Sequence, residues 1–298
     1  MSTASDTPTV VGPVIVGVDG GESSRDALVL ARWIAEVLGV PLTVTVVHPA
    51  PAAIGPARVD AEWVADRHRA AQAVLDKARG QLTGSATEVQ YRAVASSSAA
   101  HGLHDLAEQL AASAIVVGSG RSGPQQRLFA GSTADRLLSG SVCPVAVAPA
   151  GMPTPPGTLG RIGVAYVDSP DGRAALDLAA RLGRRTGSPI RLYTVVADDS
   201  GALPPLIGAD AEQAFQHTAR ETYQEALDKA AGSTVAPEAD WEILSGNVVE
   251  SLADLDEVDV LFCGSRGYGP ARRVLLGGVS ARLVRRARRP VVVVPRSG

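Results

Sequence analysis

Apolar residues along this chain follow two alternating rhythms. Short, mostly apolar runs form the first: Val14 to Val18, Leu42 to Val47, Ala114 to Val117 and Val145 to Ala148. Runs this short and this rich in β-branched residues predict strands buried on both faces. Between them, apolar positions recur at helical spacing, as at Leu28, Ala31, Ala35 and Leu38, and Gly39 predicts the stop. Ser23-x-x-Asp26 resembles a capping box at the start of that helix. Further helices are predicted over 59–79 and 99–112, with a third strand at 91–94 and a short helix from Ser132. The same order then recurs, with strands at 162–165, 190–196, 241–244, 260–262 and 291–294. Strand–helix alternation predicts a mainly parallel sheet covered by helices on both faces. Such sheets hold ligands beyond the carboxyl ends of their strands, where the strand order switches.

The recurrence is visible in the residues themselves. Gly118-Ser-Gly-Arg-Ser-Gly-Pro aligns with Gly264-Ser-Arg-Gly-Tyr-Gly-Pro, and the match runs without gaps to Pro144-Val145 against Pro290-Val291. About a dozen of roughly thirty positions are identical, against about two expected from ordinary residue frequencies. Upstream, Asp26-Ala-Leu corresponds to Ala174-Ala-Leu and Pro41-Leu-Thr-Val to Pro189-Ile-Arg-Leu. Two domains are therefore expected, over residues 11–149 and 160–296. The Pro- and Gly-rich stretch 150–159 is the expected linker and residues 1–10 a loose tail.

Composition narrows the function. The 298 residues are 45% hydrophobic and 20% charged, which excludes global disorder. A net charge of -3 argues against a protein that works by neutralising nucleic-acid phosphates. No apolar run reaches the roughly 18 residues of a membrane span, and the first residues lack the basic and apolar stretches of a secretory leader. Two cysteines, Cys143 and Cys263, suit a reducing cytoplasm. Aromatics are only 4%, so aliphatic side chains must build the core.

The richest chemistry follows each fourth strand. In the second repeat Gly264-Ser-Arg-Gly267 is followed nine residues on by Gly277-Gly278-Val279-Ser280 and a helix. Residues without a Cβ let backbone N–H groups converge on an anion, and the helix N-terminus adds positive potential. Ser280 can cap that helix or bind a phosphate oxygen. The first repeat reads Gly118-Ser-Gly-Arg121, then Gly131-Ser132-Thr133. Arg121 stands where the second glycine would be, and its guanidinium can bind phosphate instead. The same glycines also suit a tight strand-to-helix turn with no ligand.

Gly-x2-Gly-x9-Gly with a small residue next, after the fourth strand of an α/β repeat and ahead of a Pro-Val-x-Val strand, resembles the universal stress protein family. The resemblance covers nearly the whole chain, twice, as in its tandem-domain form. It implies two flavodoxin-like, doubly wound, five-stranded parallel sheets related by a pseudo-two-fold axis. It further implies a cytoplasmic, stress-induced protein binding ATP with Mg2+. Asp19 ends strand one where the family keeps an acidic residue near the ribose and a phosphate-bridging metal. The first repeat keeps Gly118, Gly131 and Ser132, and the second keeps Gly264, Gly267 and Gly277, with Gly278 in place of Ser or Thr. Asp168 falls one residue out of register, with Val167 at the aligned position, and is expected to reach the site if the turn is one residue shorter. For the backbone that reads adenine, the resemblance points to Val195 in the second repeat. In the first it leaves Val47 or Pro49, and Val47 is preferred because proline has no N–H. The family's fifth strands pair between domains, so the resemblance implies a pseudo-dimer within one chain or a homodimer of tandem chains.

Other signals carry less. Gly118-Ser-Gly120-Arg-Ser-Gly123 matches a dinucleotide fingerprint, but Pro124 follows and the strand is the wrong one. No P-loop and no nucleophile elbow occur. His101 and His104 share a helix face without metal-ligand company, and His48 reads as structural. The cluster Arg282, Arg285, Arg286, Arg288 and Arg289 fits a helix C-terminus better than nucleic acid, with Arg285, Arg286 and Arg289 as interface candidates. The preferred expectation is a nucleotide-dependent stress regulator, not an enzyme. The alternatives are an interaction scaffold with vestigial clefts and, more remotely, an adenine-nucleotide α-hydrolase-type enzyme.

Overall fold

The apolar runs become the strands of one ten-stranded sheet, in a computed structural model that describes residues 12–50, 61–119, 133–152, 159–196, 209–234, 238–265 and 278–295. The first repeat supplies β1 (Val14–Gly17), α1 (Glu22–Leu38), β2 (Leu42–Pro49), α2 (Ala61–Gln81), β3 (Val89–Ser96), α3 (Ala99–Gln109), β4 (Ala114–Gly118), α4 (Thr133–Leu138) and β5 (Val145–Ala148). The second supplies β6 (Ile162–Ala165), α5 (Pro170–Thr186), β7 (Ile190–Val196), α6 (Ala209–Ser233), β8 (Ala239–Ser245), α7 (Val248–Ala253), β9 (Val260–Gly264), α8 (Gly278–Arg286) and β10 (Val291–Val294). Strand order is β3-β2-β1-β4-β5-β10-β9-β6-β7-β8. Within each repeat every pairing is parallel, and the order switches between β1 and β4 and between β6 and β9.

The two halves meet at β5 and β10, which pair antiparallel with Val292 opposite Ala146. A pseudo-two-fold axis at that pair keeps α1 and α5 on the same face of the sheet. One core layer packs α1, α2, α5 and α6 residues against that face, and a second packs α3, α4, α7 and α8 residues against the other. Each fifth strand has both edges filled, β5 by β4 and β10, β10 by β9 and β5. The open-edge liability of a four-valine strand is thereby removed within one chain. Of the two expected arrangements, the intrachain pseudo-dimer is the one present, and no free fifth-strand edge remains for a second chain.

Local chemistry explains most boundaries. Gly39 ends α1 in the left-handed region at φ 62°, where its N–H reaches the carbonyls of Ala35 and Glu36. Ser169 caps α5, accepting from the Gly172 amide, and Pro170 fills the first helical position. The capping box expected at Ser23 and Asp26 does not form. Gly21 is the N-cap without a side-chain bond, Ser23 lies inside the helix, and Asp26 accepts from the Gly151 amide 2.9 Å away. A contact with the linker took that carboxylate.

Candidate functional site

Because β5 and β10 run antiparallel, the carboxyl ends of the two parallel strand sets point in opposite directions. Two clefts result, at opposite ends of the sheet, each at its switch in strand order. The first has a volume of about 110 Å3 and is bounded by Asp19, Ser23 and Ser24, by Thr45 and Val47 of β2, by Gly118 of β4 and by Thr133.

Asp19 is anchored there. Its Oδ1 accepts from the Gly21 amide at 2.8 Å and the Ser24 hydroxyl at 2.7 Å, while its own amide donates to Ser24 Oγ at 2.9 Å. The Ser24 hydroxyl chiefly, and then the Gly21 amide, hold the carboxyl below its ordinary range against the opposing effect of burial. A charged carboxylate thus stands at the cleft's rim, oriented by the first turn of α1. Beneath it Thr45 is fully buried and its Oγ1 has no hydrogen-bond partner. A buried hydroxyl without a partner costs free energy unless a ligand or water satisfies it. Thr45 and Ser24 were not among the expected site residues. The alternation of Thr43 and Thr45 in an otherwise apolar strand was the available signal.

Gly118 has a packing reason of its own. A Cβ there would sit 2.3 Å from the Ser23 carbonyl oxygen, because β4 ends directly against the first turn of α1. Gly264 repeats the arrangement, with Asp171 Cβ 2.8 Å from where its own Cβ would be. The first glycine of each loop is therefore required by the strand–helix contact, whatever the loop binds. Arg121, Gly131, Ser132, Gly267 and Gly277 lie outside the described residues.

The second cleft is poorer. Its volume is about 30 Å3, and Val167, Ser169, Cys263, Gly264, Val279 and Ser280 line it. Val167 occupies the register of Asp19, so alternation turns Asp168 to the opposite face of the sheet. There Asp168 pairs with Arg173, accepts from the Tyr166 hydroxyl at 3.4 Å, and lines a groove between α5 and α6. The expected approach of Asp168 to the glycine loop does not occur. Ser280 neither caps α8, which begins two residues earlier at Gly278, nor faces the cleft as a free hydroxyl. It is buried and donates to the Gly264 carbonyl at 3.0 Å. Val195 is 2% exposed and packs in the core layer with Tyr193 and Leu252. Val47, by contrast, reaches the first cleft. The residues present suit a Mg-bound nucleotide in the first cleft, with a charged carboxylate and an orphaned hydroxyl. They suit it less in the second, which offers neither among its described residues.

The arginines near the C-terminus have partners. Arg285 binds the buried Asp135 of α4 at 2.5 Å, joining the repeats, and Arg286 pairs with Glu250 at 2.9 Å. Arg289 donates to the Asp256 carbonyl at 2.8 Å. Burial pushes the Cys143 thiol up to about 11 and the Cys263 thiol to about 12, so neither is a thiolate at neutral pH. His101 lies 3.3 Å from Asp105. Among the described residues, no helix is long and apolar enough to cross a membrane.

Comparison with known proteins agrees with this architecture. The universal stress protein family matches residues 11–149 and again 158–295. "Universal stress protein Rv2319c" of Mycobacterium tuberculosis is 31% identical over 292 residues, covering 95% of this chain and 99% of its own. A universal stress protein of Archaeoglobus fulgidus superimposes with a TM-score of 0.68 at 22% identity, covering 96% of this chain and 97% of the other. A functionally unknown protein of Pseudomonas aeruginosa, PA1789, superimposes at 0.66 with 14% identity, covering 96% and 93%. At these identities the superpositions speak for the fold alone. Two family units in tandem, a mostly parallel sheet in each and a relative aligned over nearly its whole length place this chain in the universal stress protein family.

Proposed function

We propose that the first repeat binds an adenine nucleotide, ATP with Mg2+, and that occupancy biases the protein's conformation or choice of partner in a cytoplasmic stress response. The observation that carries this reading is the anchored, charged carboxylate of Asp19 at a strand-order switch. Asp19 is the group suited to a phosphate-bridging Mg2+. Thr45 supplies a hydroxyl in need of a partner, and Val47 lies on the wall where adenine would rest. Binding rather than turnover is proposed.

Calorimetry with ATP and MgCl2 tests it. Wild type should bind, Asp19→Asn should lose the Mg-dependent part of the affinity, and Thr45→Val should weaken binding without lowering stability. Absence of heat at about millimolar ATP, a binding free energy weaker than about -4 kcal/mol, would remove the nucleotide from the reading.

The second cleft favours another role for its own repeat. With Val167 for the acid and Ser280 satisfied internally, it suits a scaffold with a vestigial cleft. On that reading the second repeat holds the first in place and presents surface to partners. Native mass spectrometry of protein taken directly from cells distinguishes the cases: at most one nucleotide per chain is expected, and two would refute the vestigial role.

A further inference from the structure

The second cleft has exchanged more than one residue with the first. β1 and β6 run on into α1 and α5 without a gap between the repeats, so Asp19, Gly21, Ser23 and Ser24 correspond to Val167, Ser169, Asp171 and Gly172. Contacts bear out this register. A Cβ on Gly118 would lie 2.8 Å from Ser23 Cβ, and one on Gly264 would lie 2.8 Å from Asp171 Cβ. The serine packed against the end of β4 is therefore replaced by an aspartate packed against the end of β9.

The setting of this acid is the reverse of that of Asp19. Asp19 Oδ1 is met by the Ser24 hydroxyl at 2.7 Å and the Gly21 amide at 2.8 Å. Neither donor has a counterpart that serves Asp171. Gly172 carries no hydroxyl and its amide donates to Ser169 Oγ at 3.0 Å, while the Ser169 amide donates to the Val167 carbonyl at 2.7 Å. Asp171 is 6% exposed, its Oδ1 is buried without a hydrogen-bond partner, and it makes no ion pair among the described residues. A buried carboxyl in that state costs stability. Asp171 touches Gly264 without itself lining the cleft, so it is poorly placed to hold a metal ion there. Its charge acts across a wall that includes Ala165, Val167, Cys263 and Leu283, an apolar medium in which like charges repel more strongly than in water.

We propose that Asp171 keeps phosphate out of the second cleft, where the first turn of α8 would otherwise favour an anion. The inference rests on the reading that the first cleft takes a nucleotide, and it names the residue that makes the second refuse one. Val167 withholds a metal ligand, and Asp171 adds repulsion.

Equilibrium dialysis of the full chain against ATP with MgCl2, read as nucleotides bound per chain at about 1 mM free ATP, provides the test. Wild type should hold one. Asp171→Asn removes the charge at nearly constant shape, and Asp171→Ser restores the first repeat's residue. Each should hold a second nucleotide, with affinity at that cleft raised about tenfold or more. Photolabelling with azido-ATP should mark the first repeat alone in wild type and both repeats in the variants. One nucleotide on all three proteins, with label in the first repeat only, overturns this inference and leaves the nucleotide reading intact. Two on wild type, or label in its second repeat, also overturns it. No nucleotide on any of the three removes both. A nucleotide on the variants alone, in the second repeat, upholds the role of Asp171 and removes the first-repeat site.

Discussion

At the scale of single residues, Asp19 and Gly118 separate chemistry from packing. The carboxyl of Asp19 is held low by the Ser24 hydroxyl and the Gly21 amide. A depressed carboxyl contributes stability above its unfolded pKa and loses it as pH falls through the folded value. Urea unfolding of wild type against Asp19→Asn should therefore show a constant difference above about pH 5 that shrinks below about pH 4. Solvent at this exposed group limits that difference to about 1 kcal/mol. Gly118→Ala behaves otherwise. Its Cβ would meet backbone at 2.3 Å, so thermal unfolding without nucleotide should show a loss of about 1–3 kcal/mol. A Gly118→Ala protein of unchanged stability would show that the strand–helix contact does not require the glycine. The glycine was legible in the sequence, but its partner Ser23, far along the chain, was not.

Between elements, the ion pair joining α4 and α8 is the clearest target. Asp135 is 5% exposed and its bond to Arg285 crosses from one repeat to the other. Truncating Arg285 to Ala removes a charged donor from a buried carboxylate and should cost about 1–3 kcal/mol by urea unfolding. Adding Asp135→Ala should recover part of that loss, so a double-mutant cycle measures the coupling directly. Additive losses would show that the two side chains do not act as a pair. The sequence offered the arginine cluster as an interface candidate. It could not single out Asp135, because the two residues are 150 apart in the chain and meet only through the pairing of β5 with β10.

For the whole molecule, that pairing decides how the halves assemble. Ala146 and Val292 face each other in the antiparallel ladder. The variant Ala146→Cys with Val292→Cys, oxidised and run on a denaturing gel, should give a cross-link within one chain. A dimer band in its place would mean that the fifth strands pair between chains.

The sequence by itself determined the alternation of strand and helix, the doubling of the unit and the stretches that carry the glycine loops. Those are properties of neighbours in the chain: apolar period, turn residues and internal identity. What the tertiary structure alone decided is how the two similar clefts differ. Val167 in place of Asp19 sends Asp168 to the other face, Ser280 turns inward to Gly264, and Thr45 stays buried without a partner. It also decided that the fifth strands close on each other and that the second repeat's helices part where the first repeat's do not. Each depends on which side chains meet across the sheet, and spacing along one chain does not encode that.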